Sequence, residues 1–410
     1  MKSIGWNIVD QILSSSSAML VLILVTRETS PATLGVVAIL LLIQGFVLGL
    51  YRAGFGDALV IATRGSSHGG SAQHLLGRFI GMSMTVGTVA CLLMLAFFLA
   101  FPHTASHAGL VIALGLPPLL VLDTVRYWFL SWNRGRSAAL LDGIWLVTMV
   151  AILMFVLAMG SPLDENRILW ANLIGSVVAS ITAAVSVWPI HTPRFRGLLP
   201  TRRSLALIGE YLIGSGFVQL MFVLVGAILS LGELGYLRLS LSMVAPVVSV
   251  LAVLRVVWLG SIASRDSNMT DILGRSYFVS IGFGVTVIIF GALVYLGSDD
   301  IVPAVFGDAG SELGGLLVLA GLAEGIRVTS LPFADIVRAH GSAQLIIRSR
   351  AVVTAFVSLA LVVGAAWDAA YTVLVALILA QSVCLLIYLM VGRRLIMRNL
   401  SFCNGAKGKG

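Results

Sequence analysis

The sequence predicts an all-α polytopic membrane protein, with about twelve transmembrane helices in two six-helix bundles related by a pseudo-twofold axis along the membrane normal. Three observations predict it. Of 410 residues, 59% are hydrophobic and only 11% charged, with a mean hydropathy of +1.03, where a soluble domain carries about 25% charged residues. Apolar runs of roughly 20 residues, enough to cross ~30 Å of hydrocarbon as a helix, recur from end to end. Features of the first half return in the second at a nearly constant offset.

The spans centre near residues 16, 43, 90, 119, 149, 179, 218, 247, 286, 323, 359 and 381. The first is the weakest, because Asp10 and the run Ser14 to Ser17 dilute "IVDQILSSSSAMLVLILV". Charges in the breaks support the count, since short cytoplasmic loops collect Lys and Arg. Arg64 and Arg78 follow span two, Arg134 and Arg136 span four, and Arg194, Arg196, Arg202 and Arg203 span six. Arg265 and Arg275 follow span eight, Arg338, Arg348 and Arg350 span ten, and a basic tail with Arg393, Arg394, Arg398, Lys407 and Lys409 span twelve. The opposite breaks carry Arg27, Arg167 and Arg238 among a larger set of acids that includes Asp164, Glu233 and Asp368. Both termini are therefore expected in the cytoplasm. The expected organisation is an N-terminal bundle over 1–193, a linker over 194–204, a C-terminal bundle over 205–392 and a cytoplasmic tail over 393–410.

Several function classes drop out. The net charge of +8 and pI of about 9.8 follow from these topology signals, so no nucleic-acid partner is expected; membrane lipids are. Span one is too long, with no small-residue cleavage site, for a removable signal peptide. Cys91 and Cys384 fall within spans and Cys403 in the tail, which predicts no disulfide, no metal site and no cofactor. His103 and His107 in "PHTASH" read as an exposed outer turn. No "GxxxxGK[ST]" phosphate loop is present, and the paired acids Asp299 and Asp300 read as a solvated helix cap. No enzyme and no ATPase is expected.

The repeat is legible at an offset of about 200 residues. Asp10 meets Glu210 and Ser15 meets Ser215; Leu34 and Gly35 meet Leu234 and Gly235; Arg52 meets Arg255; and "LGR" at 76–78 meets "LGR" at 273–275. Span four carries Asp123 and Arg126 in "LVLDTVRYWFL", and span ten carries Glu324 and Arg327 in "LAEGIR". Residues three apart share a helix face, so each acid can partly neutralise its own arginine.

Charges in mid-span cost about 2.5 to 3.5 kcal/mol each on insertion scales. One reading is structural: Asp123 with Arg126, and Glu324 with Arg327, are ion pairs, while Arg52 and Arg255 snorkel to the cytoplasmic surface. The other is functional: Arg52, Arg126, Arg255 and Arg327 line a cavity for an anionic ligand, whose phosphate or carboxylate suits the planar guanidinium. Asp10 and Glu210 are then candidates for coupling to protons or a cation, or for balancing the arginines; their alternative is polar contact between the halves. Asp335 and Arg338 are expected at a solvated inner mouth. Pro117, Pro118, Pro246 and Pro332 lie inside spans as flex points or fixed packing features.

The six-plus-six repeat, the "LG" opening spans two and eight, and the passage "LYRAGFGDALVIATRG" resemble the multidrug, oligosaccharidyl-lipid and polysaccharide exporter superfamily, and within it the Wzx-type polysaccharide flippases. Gly54, Gly56, Ala58, Leu59 and Arg64 occupy that family's glycine turn, small run and basic residue, whereas Asp57 falls where its pattern varies. The resemblance implies export of an undecaprenyl-pyrophosphate oligosaccharide across the bacterial inner membrane by alternating access, with the polysaccharide polymerase machinery as a candidate partner. The 410 residues leave no room for the two extra spans typical of lipid II flippases. A cation-coupled multidrug antiporter of the same superfamily is the alternative, against which the four arginines argue. A polymerase or ligase would need a large outer loop, and the longest outer break, 298–313, has about sixteen residues.

Overall fold

The computed structural model describes residues 2–56, 69–100, 107–132, 134–187, 202–262, 269–297, 301–307 and 310–407. Among them every regular element is helical: α1 (Lys2–Glu28), α2 (Pro31–Tyr51) with a π-helical turn Arg52–Gly56, α3 (Gly69–Ala100), α4 (His107–Ser131), α5 (Gly135–Ala158) and α6 (Glu165–Ser186). They are followed by α7 (Arg202–Tyr211), a second π-helical turn Leu212–Gly216, α8 (Phe217–Val225), α9 (Leu231–Ile262), α10 (Met269–Leu296), the short α11 (Ile301–Phe306), α12 (Gly310–His340), α13 (Ala343–Ala365) and α14 (Ala370–Lys407). Twelve helical segments among the described residues are long and apolar enough to cross a membrane, and each expected centre falls inside one of them. The diluted first span is a single helix, and two of its hydroxyls turn back onto the chain. Ser15 donates to the Gln11 carbonyl at 2.5 Å and Ser17 to that of Ser14 at 2.9 Å, which spares hydrocarbon an unpaired donor.

Local chemistry marks the breaks. Ser30, Asp164 and Ser342 cap α2, α6 and α13 by accepting the amides of Thr33, Arg167 and Leu345. Gly160 and Gly307 take positive φ of 68° and 65° after α5 and α11, where a side chain would be strained. Asp368 adopts φ 48° as a non-glycine residue; its carboxylate accepts the Ser230 amide at 2.7 Å, and nearby Glu233 accepts that of Ala370 at 2.6 Å.

The chain forms two compact units, Met1–Val223 and Leu224–Gly410. In the first, Leu76 and Ile80 of α3, Leu122, Val125 and Phe129 of α4, Leu141 of α5 and Ala179 of α6 form a buried cluster. In the second, Trp258, Ile272, Phe333, Val337, Tyr388 and Ile396 bring together α9, α10, α12 and α14. The helix bearing the acid-x-x-Arg element is the most enclosed of its unit: 72% of the span window in α4 and 56% in α12 is buried. Pro117, Pro118, Pro246 and Pro332 lie inside helices that continue through them.

Four expectations change or fall outside. Helix α14 runs to Lys407, so the basic tail continues the last span as helix. The break 298–313 contains α11. Arg238 belongs to span eight, inside Leu231–Ala252, rather than to an outer break. The 101–106 turn with His103, the linker up to residue 201, Asp299 and Asp300, and Asp57 to Arg64 lie outside the described residues.

Candidate functional site

Three carboxylates and two guanidiniums meet inside the first unit. Helix α1 brings Asp10, the end of α2 brings Arg52, α4 brings Asp123 and Arg126, and α5 brings Asp142. Asp10 is fully buried, and Asp123, Arg126 and Asp142 are 4%, 2% and 2% exposed. Arg126 grips Asp10 through Nε at 2.9 Å and Nη2 at 2.7 Å. Arg52 grips Asp123 in the same two-pronged way, at 2.9 and 2.7 Å. Such paired, charge-assisted bonds are the strong ones. Arg126 also lies 3.5 Å from Asp123 and 3.2 Å from Asp142.

The expected pairing of each acid with the arginine one turn along its own helix is thus only a minor contact in α4. Arg126 turns instead to α1, and Asp123 to α2. Arg52 does not end in water alone: its side chain is 38% exposed but anchored on Asp123. With every carboxylate ionised, three acids against two arginines leave one surplus negative charge among the described residues of the cluster. The surplus falls on Asp142, whose Oδ2 is buried without a hydrogen-bond partner although Arg126 Nε lies 3.2 Å away.

The second unit is arranged differently. Glu324 and Arg327 pair along α12 as expected, with Nε 2.7 Å and Nη2 2.5 Å from one carboxylate oxygen. The pair stays open, with side-chain exposures of 21% and 37%. Arg238 of α9 also acts electrostatically on Glu324. Asp335 corrects the expectation of a solvated mouth: it is fully buried and accepts Arg255 Nε at 2.7 Å, with a second bond from Nη2. Asp335 lies eleven positions beyond Glu324 on α12, about 16 Å at 1.5 Å per residue, so Arg255 and Arg327 hold separate carboxylates.

Glu210, the repeat partner of Asp10, is half-buried on α7. That helix packs closely on the π-helical turn after α2, where a Cβ on Gly54 would meet Ile208 at 2.6 Å. The neighbouring Tyr211 hydroxyl lies 2.9 Å from Gln219 Oε1 and 3.3 Å from the Phe46 carbonyl. Gly54 and Gly56 are buried in that turn, and π-turns recur at functional sites.

Sequence reasoning missed Asp142 and misplaced Arg238. The signal for both was present: an acid in "AALLDGIWL" and a base in "GYLRLSL" sit within apolar runs, where a charge needs a partner.

No family model and no curated protein sequence matches the chain. Solved structures do. An outward-facing multidrug resistance MATE family transporter of the MOP superfamily superposes with a TM-score of 0.66 at 14% identity, covering 97% of this chain and 96% of that one. The lipid II flippase MurJ in an inward closed conformation gives 0.71 at 11% identity, over 94% and 87%. The chain has the fold these proteins share. A MOP superfamily transporter from Pyrococcus furiosus, described as having a binding pocket of reverse polarity, gives 0.64 at 13% identity over 97% and 96%.

Proposed function

We propose that the chain is a transporter of the exporter superfamily, and that it flips a polyprenyl-pyrophosphate-linked oligosaccharide from the cytoplasmic to the outer leaflet by alternating access. The observation that carries this reading is the set of arginines held inside spans on carboxylate anchors, of which Arg52 and Arg327 keep 38% and 37% of their side chains open. A guanidinium already oriented by an acid presents its remaining N–H groups to phosphate without first being ordered. Arg52 and Arg327 are the proposed substrate contacts, with Arg255 in support on Asp335. Arg126, enclosed by three acids, joins Asp10, Asp123 and Asp142 in coupling, where arrival of a proton or cation offsets the surplus negative charge. The multidrug antiporter reading shares this coupling cluster, which suits a cation-driven cycle equally. It differs in what the open arginines would repel. The chain acts without catalysing a covalent step, in a bacterial inner membrane with both termini cytoplasmic.

The test is translocation of a fluorescent polyprenyl-pyrophosphate oligosaccharide in proteoliposomes. The wild-type protein is expected to flip it, Arg327→Ala to lose more than about tenfold in rate, and Glu324→Gln to be impaired while still inserting. Wild-type protein that ignores several such lipids but exchanges an organic cation for protons or sodium would establish the antiporter instead.

A further inference from the structure

A second feature of the first unit is independent of the arginine sites. Between α1 and α5 lies a groove of about 450 Å³ walled by Trp6, Val9, Leu13, Leu140, Ile144 and Val147 among others, within the roughly 300–1,000 Å³ typical of ligand pockets. Trp6, Val9, Leu140 and Val147 are exposed. Along α5 the lining runs from Ala139 to Thr148, about 14 Å of helix, close to the ~15 Å that one leaflet contributes to the hydrocarbon core.

The end of α5 beside this groove carries an electrostatic conflict. Arg134 is its N-cap, makes no side-chain capping bond, and the first turn holds no acid; Arg136 follows at the second helical position. Both arginines are exposed. Cations are unfavourable at a helix N-terminus, where unpaired N–H groups already place positive partial charge. An anion at this point would relieve both. The guanidinium carbon of Arg136 lies 6.0 Å from the Trp6 ring centroid, and tryptophan favours the headgroup level of a bilayer.

We propose that the groove holds one acyl chain of an acidic phospholipid, whose headgroup phosphate lies against Arg134, Arg136 and the start of α5. The groove's match to one leaflet favours an acyl chain over a much longer polyprenyl chain, and the cations favour an acidic over a zwitterionic lipid. The inference requires that α1 and α5 span the membrane with this groove open to lipid; it stands whether or not the chain is a flippase.

The experiment uses the full-length protein in phosphatidylcholine vesicles doped with phosphatidylglycerol or phosphatidylcholine carrying the same photoactivatable diazirine acyl chain, with adducts mapped by peptide mass spectrometry. Adducts on 6–13 and 139–148 should be roughly thirtyfold more abundant with the phosphatidylglycerol probe, the scale expected of two cations near the headgroup plane. Arg134→Gln with Arg136→Gln should remove that preference. A Cβ on Gly143 would meet only Leu13, at 3.8 Å, so Gly143→Phe should fill the groove and remove these adducts while those elsewhere on the protein persist as a control for folding. Equal labelling by the two probes, a preference that survives loss of both arginines, or displacement of the probe by a polyprenyl phosphate would each overturn the proposal.

Discussion

At the scale of single residues, the first unit poses a problem of charge balance in a medium of low dielectric. Removing one member of a buried ion pair costs about 3–5 kcal/mol, mostly through the charge left behind. Arg126→Ala would leave Asp10, Asp123 and Asp142 facing Arg52 alone, so it should be the most destabilising change in the cluster, on that order. Asp142→Asn removes the surplus charge and leaves two acids to two arginines; it should unfold within about 1 kcal/mol of wild type. Adding Asp10→Ala to Arg126→Ala should recover part of the loss. Thermal unfolding of the purified variants in one detergent checks the order, and an Asp142→Asn protein as unstable as Arg126→Ala would refute the surplus-charge account. Here lies the limit of what the sequence displays. The residue types were legible, because a charge in an apolar run stands out. Their partners were not: Arg126 and Asp10 are 116 residues apart and Arg52 and Asp123 are 71 apart, a pairing set by how α1, α2 and α4 pack. Only Glu324 with Arg327, whose partners share one helix, was readable from spacing.

At the scale of elements, helix packing decides how the open pair is presented. In α12, Gly321 and Gly325 form a small-x-x-x-small face against Gly284 and Gly291 of α10. A Cβ on Gly291 would lie 3.0 Å from Gly321 Cα, and one on Gly325 would lie 3.2 Å from the Gly284 carbonyl. Backbone thus approaches backbone next to Glu324 and Arg327. Gly321→Leu should push the two helices apart and cost about 1–3 kcal/mol, the usual range for overpacking. Gly315, on the same helix with open space around its Cβ position, supplies the control: Gly315→Ala should be neutral or slightly stabilising. Equal unfolding temperatures for Gly321→Leu and wild type would show that the contact bears no weight. Hydropathy made the twelve spans legible, since length and apolar content decide insertion before any tertiary contact forms. The π-helical turns at Arg52–Gly56 and Leu212–Gly216 were not legible as such; the glycines were visible, but the extra residue per turn leaves no mark on a hydropathy profile.

At the scale of the whole molecule, the two halves resemble each other in sequence but have distributed their charges differently. In both, an arginine at the end of the second span of the half reaches an aspartate in the fourth, yet by the repeat Arg255 corresponds to Arg52 at an offset of 203, while Asp335 lies 212 residues beyond Asp123 rather than at the 201 that separates Asp123 from Glu324. The register shift frees Glu324 to hold Arg327 in the open, whereas its counterpart Asp123 is enclosed with Arg126. This divergence predicts a division of labour. The pair is half-buried, at 21% and 37% side-chain exposure, and removing both partners leaves no unpaired charge behind, so Glu324→Ala with Arg327→Ala should unfold near the wild-type temperature while losing translocation of the fluorescent lipid. Asp10→Ala with Arg126→Ala should instead lower the unfolding temperature, with any loss of transport following the loss of folded protein or of coupling. Measuring both properties on both double variants separates the cases. Should the α12 double variant transport normally, the open pair would be a surface ornament and the substrate would have to find its cations elsewhere; should it unfold as readily as the α1–α4 variant, the two sites would serve the same structural end despite their different exposure.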